Sequence, residues 1–142
     1  MRNYFLFTLL IFGLLIIGCG WVGTKLATTL ISQNINVFGT TRSSEKASSL
    51  RSLGIVPIIF DLEKEDATQT DLPKVDAVVI SVSPGRGEQR SQYPNHIQKL
   101  SKLLASTNQQ VIMYSSTSAY NGKMRIVTVS DALPDPNSDN II

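Results

Sequence analysis

A glycine-rich segment near the front of the chain constrains the fold more than any other feature. Residues 18–23 read GCGWVG, which fits the pattern G-x-G-x-x-G. In such a segment Gly18 permits a tight turn out of a strand, Gly20 lets a pyrophosphate approach the backbone, and Gly23 lets the next helix pack closely on a sheet. The phosphates then lie at the helix N-terminus, whose N–H groups attract negative charge. The segment therefore predicts a dinucleotide site, in which we include Trp21 and Val22.

The residues around this segment supply the context that the motif needs. Leu14 to Ile17 is a short apolar run that predicts a strand buried on both faces. From Trp21 to Gln33 apolar residues recur at helical spacing, and Ile35 to Thr41 predicts a second strand. The alternative is an ordinary glycine turn, which does not require a strand before it or a helix and a second strand after it. The sequence therefore favours the dinucleotide site.

The alternation of strands and helices continues further along the chain. It predicts a helix over Ser44 to Leu53, strands over Ile55 to Phe60 and Val75 to Val82, a helix with the stripe Ile97, Leu100, Leu103 and Leu104 that Tyr93-Pro94 leads into, and a strand over Val111 to Tyr114. This order predicts an α/β fold of the Rossmann type, a doubly wound parallel sheet with helices on both faces and a ligand at the carboxyl ends of the strands. With 142 residues the chain fits a single domain. We place that domain at residues 14–130, after a hydrophobic extension (1–13) and before an irregular tail (131–142).

The composition narrows the range of partners. The net charge of +2 comes from scattered Lys and Arg, so nucleic acid is not an expected partner. A single cysteine, Cys19, excludes an intramolecular disulfide, and with a single histidine, His96, the sequence offers no cluster of metal ligands. We expect Cys19 to pack in the glycine segment and His96 to lie at the surface.

The end of the second predicted strand bears on the choice between NAD and NADP. An Asp or Glu there would accept hydrogen bonds from the ribose 2′-OH of NAD and would repel a 2′-phosphate. Residues 38–43 read FGTTRS and contain neither. Arg42, with Thr41 and Ser43 beside it, offers a cation and hydroxyl groups suited to a phosphate. The sequence therefore favours NADP over NAD, the alternative being that Arg42 is a solvated loop residue.

The N-terminus permits a second interpretation. Tyr4 to Ile17 is almost continuously apolar and follows Arg2, and residues 16–19 (IIGC) resemble the cleavage box of a bacterial lipoprotein signal. An exported protein, anchored to a membrane through a lipid on Cys19, is thus an alternative. Cleavage before Cys19 would remove the first predicted strand, so we rank this interpretation below a cytoplasmic nucleotide-binding domain.

Four segments together carry a resemblance to a known superfamily. They are residues 18–23, Asp61-Leu62 after the third predicted strand, residues 115–120 (SSTSAY) after the fifth, and residues 130–134 (SDALP). In these segments the chain resembles the short-chain dehydrogenase/reductase superfamily, specifically its extended or atypical branch of NAD(P)-dependent sugar-nucleotide epimerases and dehydratases. The resemblance implies that Asp61 accepts a hydrogen bond from the adenine amine and that Leu62 contacts the ring. It also implies that Ser81 lies near the cofactor ribose and pyrophosphate and that Ser116 positions the substrate.

Both polar assignments have structural alternatives. Asp61 can instead be an acidic cap at a strand end, and Ser116 a turn cap.

The chemistry of that superfamily also needs a tyrosine with a lysine four residues later, so that the tyrosine can transfer a proton while hydride moves. This sequence lacks the pair, since Tyr120 is followed by Lys123 at a spacing of three. We therefore expect a truncated, catalytically incomplete front part of an epimerase- or reductase-like oxidoreductase. A sugar nucleotide or another small molecule is the implied substrate class. A non-catalytic nucleotide-sensing domain is the remaining alternative.

Overall fold

Strands and helices alternate along the chain in the computed structural model, which describes residues 13–64, 71–105 and 108–114. The elements are β1 (Gly13–Ile17), α1 (Trp21–Ile31), β2 (Asn36–Thr41), α2 (Ser44–Ser52), β3 (Val56–Ile59), β4 (Ala77–Ile80), α3 (Glu88–Leu104) and β5 (Gln110–Met113). Each corresponds to an element predicted from the apolar pattern, with boundaries that differ by a few residues at most except at the start of α3.

The five strands form one parallel sheet with the order β3-β2-β1-β4-β5. The chain builds outward from β1 on one side and then crosses to β4 on the other, so the strand order reverses between β1 and β4. Ligands of open α/β sheets bind outside the carboxyl ends of the strands at such a reversal. The predicted doubly wound α/β fold is confirmed.

The central strand β1 has helices on both of its faces, which explains its continuous apolar sequence. Leu14 and Ile16 belong to a core that includes Ala27 of α1 and Leu50 of α2. The alternate residues Leu15 and Ile17 belong to a second core that includes Leu100 and Leu104 of α3. Successive side chains of a strand point to opposite faces, so a strand covered on both sides must be apolar throughout.

The helix α3 begins earlier than the sequence predicts. Tyr93-Pro94 was expected to lead into this helix, but α3 begins at Glu88 and Pro94 lies inside it. The first turn carries mostly polar residues, so the apolar periodicity could not reveal it. Tyr93 is buried and extends the apolar face of the helix, and its hydroxyl donates a hydrogen bond to the backbone oxygen of Val82 at 3.1 Å.

Some predictions fall on parts of the chain that the structure does not describe. Ser116, the residues around Tyr120 and Lys123, the irregular tail and residues 1–12 of the hydrophobic extension lie outside the described residues. Within the described part, no helix is both long enough and apolar enough to cross a membrane.

Candidate functional site

The carboxyl ends of β1, β2, β3 and β4 surround a cleft at the point where the strand order reverses. Its volume is about 300 Å³. The residues that line it come from five parts of the fold: Ile17 to Gly20, Thr40 to Arg42 with Lys46, Phe60 to Glu63, Ser81 to Gly85, and Gln89 and His96 of α3. The cleft lies where an open α/β sheet accommodates a ligand.

The loop from β1 to α1 is held in a tight turn against two neighbouring strands. Gly18 has φ +92°, a conformation that L side chains rarely adopt. Its N–H donates to the Thr40 hydroxyl oxygen at 2.8 Å, and the Cys19 N–H donates to the Thr40 backbone oxygen at 3.0 Å. On the other side, a Cβ at Gly18 would lie 3.0 Å from the backbone oxygen of Ser81. The loop is therefore fixed in position by the fold before any ligand arrives.

The other two glycines of the loop face different surroundings. A Cβ at Gly23 would lie 2.8 Å from the Gly18 backbone oxygen and 3.0 Å from Cγ2 of Ile16, so α1 packs on β1 too closely for a larger residue. A Cβ at Gly20 would meet no atom of the described residues within 4 Å. Packing within the protein thus explains the glycine at 23, whereas a glycine at 20 leaves room above the backbone at the edge of the cleft.

The N-termini of α1 and α2 differ in how their backbone N–H groups are satisfied. Ser43 caps α2, since its side-chain oxygen accepts a hydrogen bond from the Lys46 N–H at 3.2 Å. Gly20 caps α1 without a side-chain hydrogen bond, and the first turn of α1 has no acidic residue. The N-terminus of α1 therefore keeps donors and a positive dipole end that can bind an anion.

Cys19 packs into the core beneath the loop, as expected. Its side chain is buried against Gly39 of β2, where an added Cβ would lie 2.5 Å from the Cys19 sulfur. Burial raises the pKa of the Cys19 thiol to about 11, and the nearby Lys46 ammonium offsets only part of this rise. Cys19 is thus a neutral packing residue. Because β1 is the central strand, a chain that began at Cys19 would lose the middle of its sheet, and the lipoprotein alternative is not favoured.

Two cations and two carboxylates meet at the β2 side of the cleft. Arg42 and Lys46 both line it, and so do Asp61 and Glu63 from the segment after β3. The Arg42 Nη1 atom lies 3.7 Å from the Glu63 Oε1 atom, in an ion pair whose side chains are 64% and 45% exposed. Thr41 also lines the cleft, next to Arg42. Although β2 ends without a carboxylate, Asp61 and Glu63 therefore bring negative charge to this corner of the cleft.

Asp61 and Leu62 lie in the cleft wall after β3. The Asp61 Oδ1 atom accepts a hydrogen bond from the Glu63 N–H at 3.1 Å, and its Oδ2 atom lies 3.7 Å from the Lys64 ammonium. Asp61 thus stabilises the turn it begins, as the capping alternative expects, while its side chain still lines the cleft. The Lys99 ammonium donates to the Leu62 backbone oxygen at 3.0 Å and ties this turn to α3.

The opposite wall consists of the segment after β4 and one face of α3. Ser81 lines the cleft, and its N–H donates to the Ile17 backbone oxygen at 2.8 Å. His96 lines the cleft as well and is partly buried, so its part of the surface is the cleft wall. Burial raises the pKa of the Tyr93 phenol, and its hydrogen bond to Val82 gives it a structural role.

The structure brings most of the predicted site residues together. Gly18, Gly20, Thr41, Arg42, Asp61, Leu62 and Ser81 all line the cleft. Gly23 supports it from behind, and Ser43 caps α2 beside it. Trp21 and Val22 lie in the first turn of α1 with side chains 90% and 47% exposed, and they line a separate shallow hollow instead.

The lining residues that the predicted site did not include have among them Lys46, Glu63 and His96, whose side chains are ionisable. The first turn of a helix after a strand end is a signal that could have identified Lys46. Glu63 and His96 reach the cleft only through tertiary packing.

The fold and the cleft together define a nucleotide-binding domain of the Rossmann type. A family model described as NAD(P)H-binding matches residues 18–135, from the first glycine of the loop onward. The chain therefore belongs to the NAD(P)H-binding family. No protein of curated function matches the sequence.

Solved structures with the same fold include proteins assigned as epimerases. One, assigned as an NAD-dependent epimerase/dehydratase from Bacillus halodurans, has a TM-score of 0.65 at 21% identity, over 80% of this chain and 56% of its own. Another, assigned as an epimerase from Burkholderia cenocepacia J2315, has a TM-score of 0.65 at 22% identity, over 90% and 45%. The NAD(P)-binding domain of an exopolyphosphatase-related protein from Archaeoglobus fulgidus has a TM-score of 0.55 at 24% identity, over 84% and 89%.

These identities show a shared fold. The chain spans about half the length of the two proteins assigned as epimerases.

Proposed function

We propose that residues 14–130 bind NADP(H) in preference to NAD(H), as the cofactor domain of an oxidoreductase related to the extended or atypical short-chain dehydrogenases/reductases. The observation that carries the proposal is the N-terminus of α1, which opens on the cleft without a side-chain cap and begins at a glycine with empty space above it. An anion of the size of a pyrophosphate fits these donors and this space.

The cleft residues take the following roles in this proposal. The backbone N–H groups of Trp21 and Val22 in the first turn of α1 bind the pyrophosphate. Gly18 and Gly20, whose own N–H groups donate to Thr40 and to the Gly18 backbone oxygen, shape the loop so that the pyrophosphate can approach, and Gly23 holds the helix against the sheet. Asp61 and Leu62 contact the adenine, and Ser81 lies beside the ribose and pyrophosphate. Bound nicotinamide would supply hydride chemistry.

The preference for NADP(H) depends on the cations at the end of β2. Arg42 and Lys46 both line the cleft, with Thr41 and Ser43 as neighbouring hydroxyl groups. A 2′-phosphate brings more negative charge than a 2′-hydroxyl, so its binding gains more from a guanidinium that can donate two hydrogen bonds.

Replacement of Arg42 tests this preference. We expect Arg42→Gln to weaken NADPH binding about fivefold, the order of an exposed ion pair of about 1 kcal/mol, and to leave NADH binding nearly unchanged. Isothermal titration calorimetry with each nucleotide measures both constants. Arg51→Gln is the matched control, because Arg51 is exposed in the last turn of α2 and does not line the cleft. An equal loss of affinity for both nucleotides in Arg42→Gln would contradict the assignment.

For the reaction, we propose that this chain transfers no hydride by itself. No tyrosine of the sequence has a lysine four residues later, although Ser116 remains the candidate for holding a substrate of the sugar-nucleotide class. An assay of NADPH oxidation with keto-sugar nucleotides tests this, and turnover above the rate without protein would refute it. We further propose a cytoplasmic location.

A further inference from the structure

The corner of the cleft beside β2 contains the carboxylate of Glu63, which is distant from the end of β2 in the sequence. Thr41 and Ile59 are paired in register, and the Phe60 N–H donates to the Thr41 backbone oxygen at 2.9 Å. The segments that follow β2 and β3 therefore leave the sheet side by side. A residue shortly after β3 can reach a residue shortly after β2, although about twenty positions separate them in sequence.

A turn after β3 carries Glu63 to Arg42. The Lys64 N–H donates to the Asp61 backbone oxygen at 3.1 Å, and the Asp61 carboxylate accepts from the Glu63 N–H at 3.1 Å. These bonds fix the backbone of the turn without using the Glu63 side chain. That side chain lies instead in the cleft wall, with its carboxylate 3.7 Å from the Arg42 guanidinium.

We propose that Glu63 sets the ratio of NADP(H) to NAD(H) binding, because its carboxylate pairs with the Arg42 guanidinium that a 2′-phosphate would bind. This inference rests on the proposed function. A 2′-phosphate must compete with Glu63 for Arg42 and is repelled by its charge, so Glu63 weakens NADP(H) binding. A 2′-hydroxyl instead donates hydrogen bonds, and a carboxylate is the group that accepts them in NAD sites. Glu63 thus reduces the preference for NADP(H) that Arg42 and Lys46 create.

Because the ion pair is exposed, a phosphate and the Glu63 carboxylate can each displace the other from Arg42. The Arg42 and Glu63 side chains are 64% and 45% exposed, and exposed pairs contribute little to stability. A phosphate can therefore displace Glu63 without unfolding the turn, while Lys46 remains in the cleft wall as a second cation.

The test compares Glu63→Gln with the wild-type chain. We expect the variant to bind NADPH about threefold to tenfold more tightly, since it loses both the competitor for Arg42 and a like charge, and to bind NADH no better than the wild type. Adenosine 2′,5′-bisphosphate and 5′-AMP serve as smaller probes and should show the same divergence. Glu88→Gln is the control, since it makes the same change of charge in the first turn of α3 and does not line the cleft.

A double variant shows whether Glu63 acts through Arg42. In Arg42→Gln the further change Glu63→Gln should improve NADPH binding by less than it does in the wild-type background, because only the repulsion between Glu63 and the phosphate is then removed and no competition for a guanidinium remains. A gain as large as in the wild-type background would overturn the inference, and so would an unchanged ratio of the two nucleotides in Glu63→Gln. If the wild-type chain binds neither nucleotide, the proposed function fails and this inference fails with it, an outcome distinct from binding with an unchanged ratio.

Discussion

At the scale of single residues, the two glycines at the start of α1, Gly20 and Gly23, have different roles. Gly23 is required by packing, because the Gly18 backbone oxygen and the Ile16 side chain leave no room for a Cβ. Gly20 is not required by any described contact, because the space above it is empty. Gly20 also serves as the N-cap of α1, and the proposed ligand would use the space above it.

The contrast predicts opposite effects of two alanine substitutions. We expect Gly23→Ala to lower the free energy of unfolding by about 2–3 kcal/mol through overpacking. Gly20→Ala should cost less than about 1 kcal/mol, as a poorer N-cap, yet weaken NADPH binding about tenfold, which corresponds to about 1.4 kcal/mol. Urea unfolding and calorimetric titration measure the two quantities. Unchanged NADPH affinity in Gly20→Ala would show that the pyrophosphate does not approach this residue.

At the scale of secondary structure, the ends of the helices decide where charge and hydrogen-bond donors are placed. At the α2 N-terminus the Ser43 side chain accepts a hydrogen bond from the Lys46 N–H, and the first turn contains the acidic residue Glu45. The α1 N-terminus has neither feature and opens on the cleft. Helices of similar length thus have different roles, α2 as support for the sheet and α1 as the proposed anion-binding element.

The capping role of Ser43 predicts a loss of stability when its hydroxyl is removed. We expect Ser43→Ala to lower the free energy of unfolding by about 1 kcal/mol, because the Lys46 N–H loses its acceptor. Ser48→Ala is the control, since Ser48 is exposed inside the same helix and alanine is the better helix former there. Urea unfolding without nucleotide compares the two variants. Equal midpoints for Ser43→Ala and Ser48→Ala would show that the cap contributes nothing.

The elements were predictable where apolar periodicity or glycine marks them. The uninterrupted apolar run of β1 and the stripe of α1 specified a buried strand and its helix, because burial on both faces or on one requires those patterns. The start of α3 was not predictable, because its first turn is polar and Pro94 suggested a helix start. Proline is common in the first turn of helices. In α3, however, Pro94 lies inside the helix, and the buried face continues to Tyr93 on its N-terminal side.

At the scale of the whole molecule, the tertiary fold supplies what the linear sequence conceals. In the sequence, Arg42 stands at the end of the second predicted strand, and residues 38–43 contain no carboxylate. The parallel pairing of β2 with β3 then brings Glu63 to Arg42, and the packing of α3 brings His96 to the cleft. Such contacts join residues that are far apart in sequence and leave no periodic signal. The glycine loop could be predicted because all of its constraints are local.

Among the described residues, β3 and β5 form the edges of the sheet, and their exposure affects how the protein must be handled. Val56 and Ile59 of β3 are about half exposed, and Val111, Ile112 and Met113 of β5 are 42–45% exposed. Apolar edge strands favour association between chains. Binding should therefore be measured at low protein concentration, with light scattering to verify that the chain stays dispersed.

The most direct test of the account is a titration of the wild-type chain with NADPH. Isothermal titration calorimetry should show saturable binding of one nucleotide per chain with a dissociation constant below about 100 µM. Fluorescence provides a second signal, since Trp21 is the only tryptophan and stands at the start of α1. The absence of saturable heat at about 1 mM NADPH and about 1 mM NADH, from a chain that is folded by circular dichroism, would contradict the central claim.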